Sequence, residues 1–166
     1  MTLRGVTFQD PQGRPVAHDG TTPVTWRVGA FALAVREGRV LLVERASGGR
    51  LELPGGGVEV HETLLEGATR ECREETGYRF VADDSEPVYL GELFFNWHQS
   101  APPTPGPRYW HALLAVFAGT VVGDPDPGWT PDPHEMMRAQ WADLATLTPE
   151  LLLSHHWAAL RRARLV

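Results

Sequence analysis

Three glutamates close together in one predicted helix carry the most specific chemical signal in the chain. At about 100° per residue, Glu71, Glu74 and Glu75 share an arc of about 100° beside an apolar stripe. Like charges three and four residues apart repel each other, and the repulsion grows as the surroundings become less polar. A hard divalent cation offsets it, and carboxylate oxygens are the ligands that Mg²⁺ prefers. The alternative interpretation is a solvated acidic face that binds nothing.

A run of three glycines, Gly55, Gly56 and Gly57, precedes this helix. Glycine adopts backbone conformations that other residues avoid, so the run lets a carbonyl group turn toward a cation and lets a phosphate approach the main chain. The N-terminus of the following helix adds partial positive charge for an anionic ligand. Three glycines alone often form an ordinary turn, and it is their place beside the acidic helix that favours a phosphate site.

The spacing of these residues resembles the signature of the Nudix hydrolase family, G-x5-E-x7-R-E-U-x-E-E-x-G-U, in which U is apolar. The fixed positions are occupied by Gly56, Glu62, Arg70, Glu71, Glu74, Glu75 and Gly77. Seven matches at about 7% usage each make a chance match at a given start roughly one in a hundred million. The two U positions hold Cys72 and Tyr78, where the family more often has aliphatic residues.

The resemblance implies roles for the residues of the signature. Glu71, Glu74 and Glu75 would hold Mg²⁺, with Mn²⁺ as an acceptable substitute, and the backbone carbonyl of Gly55 would join them. Arg70 would support the site by fixing the helix and orienting an acid. A buried thiol in the apolar stripe is an unsuitable nucleophile, so no covalent intermediate is expected.

An acid from a late loop often completes such a site or activates water in this family. Glu135 is the candidate, because it lies just before a predicted strand, and Glu92 is a weaker rival. Either Glu71 or Glu135 would accept the proton of the attacking water. The predicted catalytic group is therefore Glu71, Glu135 and Arg70.

The implied reaction is the Mg²⁺-dependent hydrolysis of a diphosphate bond in a nucleoside diphosphate linked to another moiety, such as a nucleoside di- or triphosphate or a nucleotide sugar. The predicted substrate contacts are Gly56, Gly57, Phe95, Trp97 and Arg108. Tyr109, Trp110 and Trp129 are further aromatic residues that could stack on a base.

Two other functions share this fold. A non-catalytic Nudix-like nucleotide sensor would usually lack one of the metal acids, and this chain keeps all three. An isopentenyl diphosphate isomerase would need a catalytic cysteine outside the signature, and the single cysteine, Cys72, lies inside it. The adjacent pair His155 and His156 suggests a metal site at first sight, but neighbours on a helix point about 100° apart and make poor co-ligands.

The elements that position these residues follow from hydrophobic periodicity and turn signals. Strands are predicted at 26–35, 40–44, 51–53, 78–82, 87–96, 109–122 and 138–142, and helices at 59–76 and 148–164. Strands and helices mix without a regular βαβ repeat, which favours an α/β (α+β) fold in which a mixed sheet lies between helices, a Nudix-like α/β/α sandwich.

The whole chain sets the remaining expectations. Its 166 residues suit one domain, here divided into an N-terminal arm or hairpin (1–24) and a Nudix hydrolase domain (25–166). The net charge of −6 argues against a nucleic-acid partner. A single cysteine and the absence of a long apolar run favour a cytoplasmic protein away from membranes. Relatives are frequently dimers, and a homodimer that uses the arm is considered.

Overall fold

The chain forms one mixed sheet with helices on both faces, as seen in a computed structural model that describes residues 6–10, 13–45, 50–99, 106–130 and 136–166. The strands are β1 (Phe8–Gln9), β2 (Pro15–Val16), β3 (Val24–Arg36), β4 (Arg39–Arg45), β5 (Gly55–Gly57), β6 (Arg79–Ala82), β7 (Tyr89–Gln99), β8 (Gly106–Val122) and β9 (Met136–Asp143). The helices are α1 (Leu64–Thr76) and α2 (Ser154–Arg162).

The strand order along the sheet is β2-β1-β7-β8-β3-β4-β9, with β5 paired to β3 and β6 paired to β8. The pairs β3–β8 and β1–β7 are parallel, and the other strand pairs are antiparallel. The prediction of a mixed sheet is therefore confirmed. The short hairpin of β1 and β2 extends the sheet at the edge of β7.

The central strand β3 separates two hydrophobic cores. Ala30, Ala32 and Ala34 pack with the buried face of α1, whereas Phe31 and Leu33 pack with the residues of α2 on the opposite face. Successive side chains of a strand point to opposite faces, so a strand covered on both sides has an almost continuous apolar sequence. The predicted arrangement of helix, sheet and helix is confirmed.

Helix α1 begins five residues later than the sequence pattern predicted. Thr63 caps its N-terminus, and Thr63 and Glu66 bond to each other's backbone N–H groups in a capping box. This cap starts the helix at Leu64 and leaves Glu62 outside it. The side chain of Glu66 therefore serves the cap.

Helix α2 begins at Ser154, although the pattern predicted a start near 148. Leu152 and Leu153 are buried, and Leu152 pairs with Leu51 in an isolated bridge, so these leucines belong to the core as extended chain. The predicted strand at 51–53 is likewise reduced to isolated bridges, of which the other joins Val43 and Glu52. Together these contacts bring Glu52 and the first turn of α2 close to β3.

None of the helices in the described parts of the chain is long and apolar enough to cross a membrane.

Candidate catalytic site

The glycines of β5 allow the chain to pass between β3 and α1 at close range. A Cβ atom on Gly55 would collide with the carbonyl oxygen of Ala30 and the ring of Phe31. A Cβ atom on Gly56 would lie 2.7 Å from the carboxyl carbon of Glu71. The first two glycines are therefore needed for space, and Glu71 lies directly against the main chain of β5.

The three predicted metal acids have different environments. Glu75 is only 6% exposed and accepts a hydrogen bond of 2.8 Å from the N–H of Gly55. The side chain of Glu71 is 16% exposed and lies 3.0 Å from Nη1 of Arg70. The side chain of Glu74 is 58% exposed and accepts a bond of 2.9 Å from the same nitrogen. The shared arc is real, but only Glu71 and Glu75 are held close to β5.

Arg70 connects the helix, the preceding loop and β5. Its Nε donates to Oε1 of Glu62 at 2.6 Å, and its Nη2 donates to the carbonyl oxygen of Gly57 at 2.9 Å. The hydrogen bond from Arg70 lowers the pKa of Glu62 to about 2, and the same bond raises the pKa of Arg70. The pair therefore stays charged over the ordinary pH range and orients both Glu71 and Glu74.

The oxygen atoms beside β5 are of the kind that a hard divalent ion binds. Glu71 and Glu75 lie along the backbone of Gly55 and Gly56, where carboxylate and carbonyl oxygens are available. In the described residues, however, no three histidine, cysteine or acidic side chains converge in an arrangement that would hold a metal ion. The carboxylate of Glu74 is bonded instead to the guanidinium of Arg70, at 2.9 Å.

A cavity of about 160 Å³ opens beside β5 on the face of the sheet that α2 covers. Its lining comprises Arg27, Gly29, Phe31, Glu52, Gly56, Leu93, Phe95, Trp110, Ala112, Leu114, Leu153 and His155. The rings of Phe95 and Trp110 stack with centroids 6.0 Å apart and planes 14° from parallel. A mostly apolar cleft with a few polar groups is the usual form of a small-molecule site.

Arg27 is a site residue that the sequence interpretation missed. Its guanidinium carbon lies 4.8 Å from the centre of the Trp110 ring. It lines the cavity and also the neighbouring cleft, which Arg70 and Glu71 line as well. This places a cation between the aromatic cavity and the acids of α1. Arg27 lies in the exposed N-terminal part of β3, and its charge within a largely apolar segment was the sequence signal available for it.

Glu52 and His155 are two further polar groups of the cavity that were not assigned to it. Glu52 is 6% exposed, and His155 is 7% exposed. Burial lowers the pKa of His155 to about 3, so its ring is neutral near pH 7. The sequence signal available for Glu52 was its position directly before the segment Leu53-Pro54-Gly55. The rings of His155 and His156 lie with their centroids 4.0 Å apart.

The predicted substrate residues are partly brought together. Gly56 and Phe95 line the cavity, and Gly57 lines the cleft next to it. Arg108 lies on β8, two residues before Trp110 and outside the cavity lining. Trp97 belongs to β7, but its side chain lies outside the described residues.

Two of the aromatic residues considered for base stacking lie elsewhere. Tyr109 packs against Phe8, with ring centroids 4.8 Å apart. Trp129 donates from Nε1 to the carbonyl oxygen of Glu74 at 2.8 Å and so rests on α1. Their positions follow from strand alternation and from a loop contact that local sequence does not reveal.

Glu135 and Glu92 are the two candidates for the additional acid. Glu135 lies outside the described residues. Glu92 pairs with His111 on a neighbouring strand.

Cys72 is fully buried, and burial raises the pKa of its thiol to about 11, which agrees with the expectation that it is no nucleophile.

Comparison with known proteins identifies the family. The NUDIX domain matches residues 24–163. A MutT-like protein of Streptomyces ambofaciens is 43% identical over 72 residues, which are 43% of this chain and 47% of that protein. A putative 8-oxo-dGTP diphosphatase of Bacillus subtilis (strain 168) is 40% identical over 67 residues, 40% of this chain and 45% of that protein. The matched segments thus span about half the length of these curated relatives.

Solved structures agree in fold. A MutT NUDIX hydrolase from Burkholderia pseudomallei superposes with a TM-score of 0.61 and 25% identity, over 83% of this chain and 98% of that one. The MutT protein from Methanosarcina mazei Go1 superposes with a TM-score of 0.60 and 24% identity, over 87% of this chain and 97% of that one. With the family match extending from β3 to the end of α2, the chain belongs to the Nudix hydrolase family.

Proposed function

We propose that the chain hydrolyses a diphosphate bond in a small nucleotide, with the help of Mg²⁺. The observation that carries this proposal is the junction at β5. There Glu71 and Glu75 lie against the glycine backbone, Arg70 ties the acids to the strand, and an aromatic cavity opens on the other side. The curated relatives carry the names of MutT-like and 8-oxo-dGTP diphosphatase proteins, which is consistent with a nucleotide substrate.

Glu71, Glu74 and Glu75, with the carbonyl group of Gly55, are the groups that would hold the metal. The ion would neutralise charge on the diphosphate oxygens and make a bound water more acidic. Arg70 keeps Glu71 and Glu74 in place through its bonds to both carboxylates.

The chain's own groups account for binding and proton transfer. Arg27 lies between the cavity and the acids, so its guanidinium would bind a phosphate oxygen while an organic group occupies the cavity. A carboxylate oxygen of Glu71 would accept the proton of the water that attacks phosphorus, unless Glu135 does so. The products would be a monophosphate and the other phosphorylated half of the substrate.

The test is the release of phosphate and monophosphates from a panel of nucleoside di- and triphosphates, 8-oxo-dGTP, nucleotide sugars and dinucleotides. Each reaction is run with Mg²⁺, with Mn²⁺ and with a chelator. We expect metal-dependent cleavage of at least one class, and a fall of about 10²- to 10⁴-fold in Glu71→Gln. Glu74→Gln should also lose activity.

Glu66→Gln is the matched control on the same helix, because glutamine also serves a capping box. Its activity should equal that of the unmodified chain. Cleavage that survives the chelator, or an equal loss in Glu66→Gln, would contradict the proposal. Nucleotide binding without turnover on any substrate would instead favour the non-catalytic sensor.

A further inference from the structure

The hairpin of β1 and β2 has no assigned role in the proposed reaction. The match to the NUDIX domain begins at residue 24, so the hairpin lies outside the matched segment. Phe8 is fully buried and packs edge-to-face against the rings of Phe94 and Tyr109. The hairpin is therefore packed firmly on the sheet, and its contacts can fix the position of the elements beside it.

Gln9 connects two walls of the substrate cavity, strand β7 and the first turn of α2. Its backbone pairs with Phe95 of β7. Its side-chain Oε1 accepts a hydrogen bond of 3.0 Å from Oγ of Ser154, the first residue of α2. Phe95 and His155, the residue after Ser154, both line the cavity. One residue of the hairpin thus joins the strand side of the cavity to its helix side.

A polar pocket behind the cavity shows the same junction independently. It is lined by Thr7, Gln9, Tyr89, Glu92, Leu93, Phe94, Ser154 and His155. Leu93 and His155 also line the substrate cavity. Gln9 therefore lies close behind two side chains that a ligand in the cavity would contact.

The first turn of α2 is not fixed by a cap of its own. Leu153 occupies the N-cap position and makes no side-chain hydrogen bond there. Helices usually gain a cap bond from serine, threonine, aspartate or asparagine at that position. The bond from Ser154 to Gln9 instead ties this turn to the hairpin, and through the backbone of Gln9 to β7.

We propose that Gln9 is a positioning residue, which holds the start of α2 against β7 and thereby sets the width of the substrate cavity. This inference rests on the proposed function, since the organic group of the nucleotide is the ligand that occupies the cavity. Gln9 lies outside the described lining of the cavity, so it acts through Ser154 and His155. It should affect binding of the organic group and not cleavage of the diphosphate.

The test is a double-mutant cycle on nucleotide affinity. Calorimetry with Mg²⁺ measures binding of the α,β-methylene analogues of ATP and GTP, in which carbon replaces the bridging oxygen. Gln9→Ala and Ser154→Ala should each weaken binding by about two- to tenfold, the usual effect of one neutral hydrogen bond. The double variant should bind no more weakly than either single variant, because both remove the same bond. Ser154→Thr, which keeps the hydroxyl group, should retain the original affinity.

Arg14→Ala is the matched control in the same hairpin. The side chain of Arg14 is 71% exposed and pairs with Asp10 of the hairpin, so its removal leaves the bond to α2 intact. Its affinity should equal that of the unmodified chain. On a substrate that is turned over, Gln9→Ala should raise KM by the factor seen in binding and leave kcat unchanged, the pattern of lost ground-state binding.

Four outcomes would overturn the inference: unchanged affinity in Gln9→Ala, additive losses in the double variant, an equal loss in Arg14→Ala, or no binding of either analogue by the unmodified chain. Thermal unfolding of each variant shows whether it is folded. Turnover without the coupled loss of affinity contradicts only the role of Gln9. The coupled loss without turnover on any substrate contradicts only the proposed function.

Discussion

At the scale of single residues, Gly56 tests whether the contact between β5 and Glu71 matters for activity. In Gly56→Ala the new Cβ would lie 2.7 Å from the carboxyl carbon of Glu71 and push that carboxylate away from the strand. We expect kcat/KM with Mg²⁺ to fall by about 10- to 100-fold, the usual effect of disturbing the orientation of a metal-binding group.

Gly128→Ala is the control for this substitution. There the nearest atom to a new Cβ is a carboxylate oxygen of Asp126 at 3.5 Å, an ordinary contact. Activity should be unchanged. A similar loss in both variants would mean that added bulk, rather than displacement of Glu71, lowers the rate.

A second prediction at this scale concerns Arg70, because four groups contact its guanidinium. A lysine keeps the charge but cannot bond at once to Glu62, Glu71, Glu74 and the carbonyl of Gly57. Arg70→Lys should therefore lower kcat by about 10- to 100-fold, measured by monophosphate release. Arg73→Lys is the control. Arg73 is exposed, and its ion pair with Asp126 is long, at 3.8 Å. A fully active Arg70→Lys would show that charge alone is sufficient.

The sequence was informative about the residues of one helix and much less so about their partners. Helical periodicity placed Glu71, Glu74 and Glu75 on one arc, since their spacing is local. It could not separate the buried Glu75 from the exposed Glu74, because the bonds to Gly55 and Arg70 decide that difference. Tertiary contacts, not helix geometry, set the exposure of each carboxylate.

At the scale of elements, the C-terminus of α1 depends on the backbone conformation of Gly77 and on the contact of Gly77 with the loop residue Trp129. Gly77 is in the left-handed conformation, at φ 73°, and a Cβ there would lie 2.8 Å from the indole of Trp129. Gly77→Ala should lose about 1 kcal/mol of unfolding free energy for the backbone and about 1 kcal/mol more for the clash. For a chain of this length we expect Tm to fall by roughly 4–8 °C.

A double-mutant cycle separates the two contributions. In a Trp129→Ala background the clash is gone, so Gly77→Ala should cost only the backbone part, about 1 kcal/mol. Urea unfolding of the four proteins gives the coupling energy. Full additivity would contradict the contact between Trp129 and the helix end.

The elements were predictable where local chemistry defines them. The apolar run of β3 indicated a strand, and the predicted helix ended at Thr76, where α1 ends. The starts of both helices were wrong. The reasons are the capping box at Thr63 and the burial of Leu152 and Leu153 as extended chain, a consequence of tertiary packing.

At the scale of the whole molecule, the site is assembled from segments distant in sequence. Arg27 comes from β3, Glu52 and Gly56 from the chain around β5, Trp110 from β8 and His155 from α2. The parallel pairing of β3 with β8 and the crossing of α2 bring them together. Periodicity describes one element at a time, which is why the family signature was recognised and the cavity was not.

The burial of His155 leads to a prediction about how the stability of the whole chain depends on pH. Its pKa is about 3 in the folded state and near 6.5 in the unfolded state, so between these values only the unfolded chain binds the proton. Stability should therefore fall as the pH drops through 6.5 toward 3, by up to about 1.4 kcal/mol per pH unit from this group, and the loss is absent above pH 6.5. In His155→Gln the slope of unfolding free energy between pH 6.5 and 5 should be shallower by up to that amount, as measured by urea titrations. An unchanged slope would mean that the ring takes up its proton in the folded state too, despite its burial.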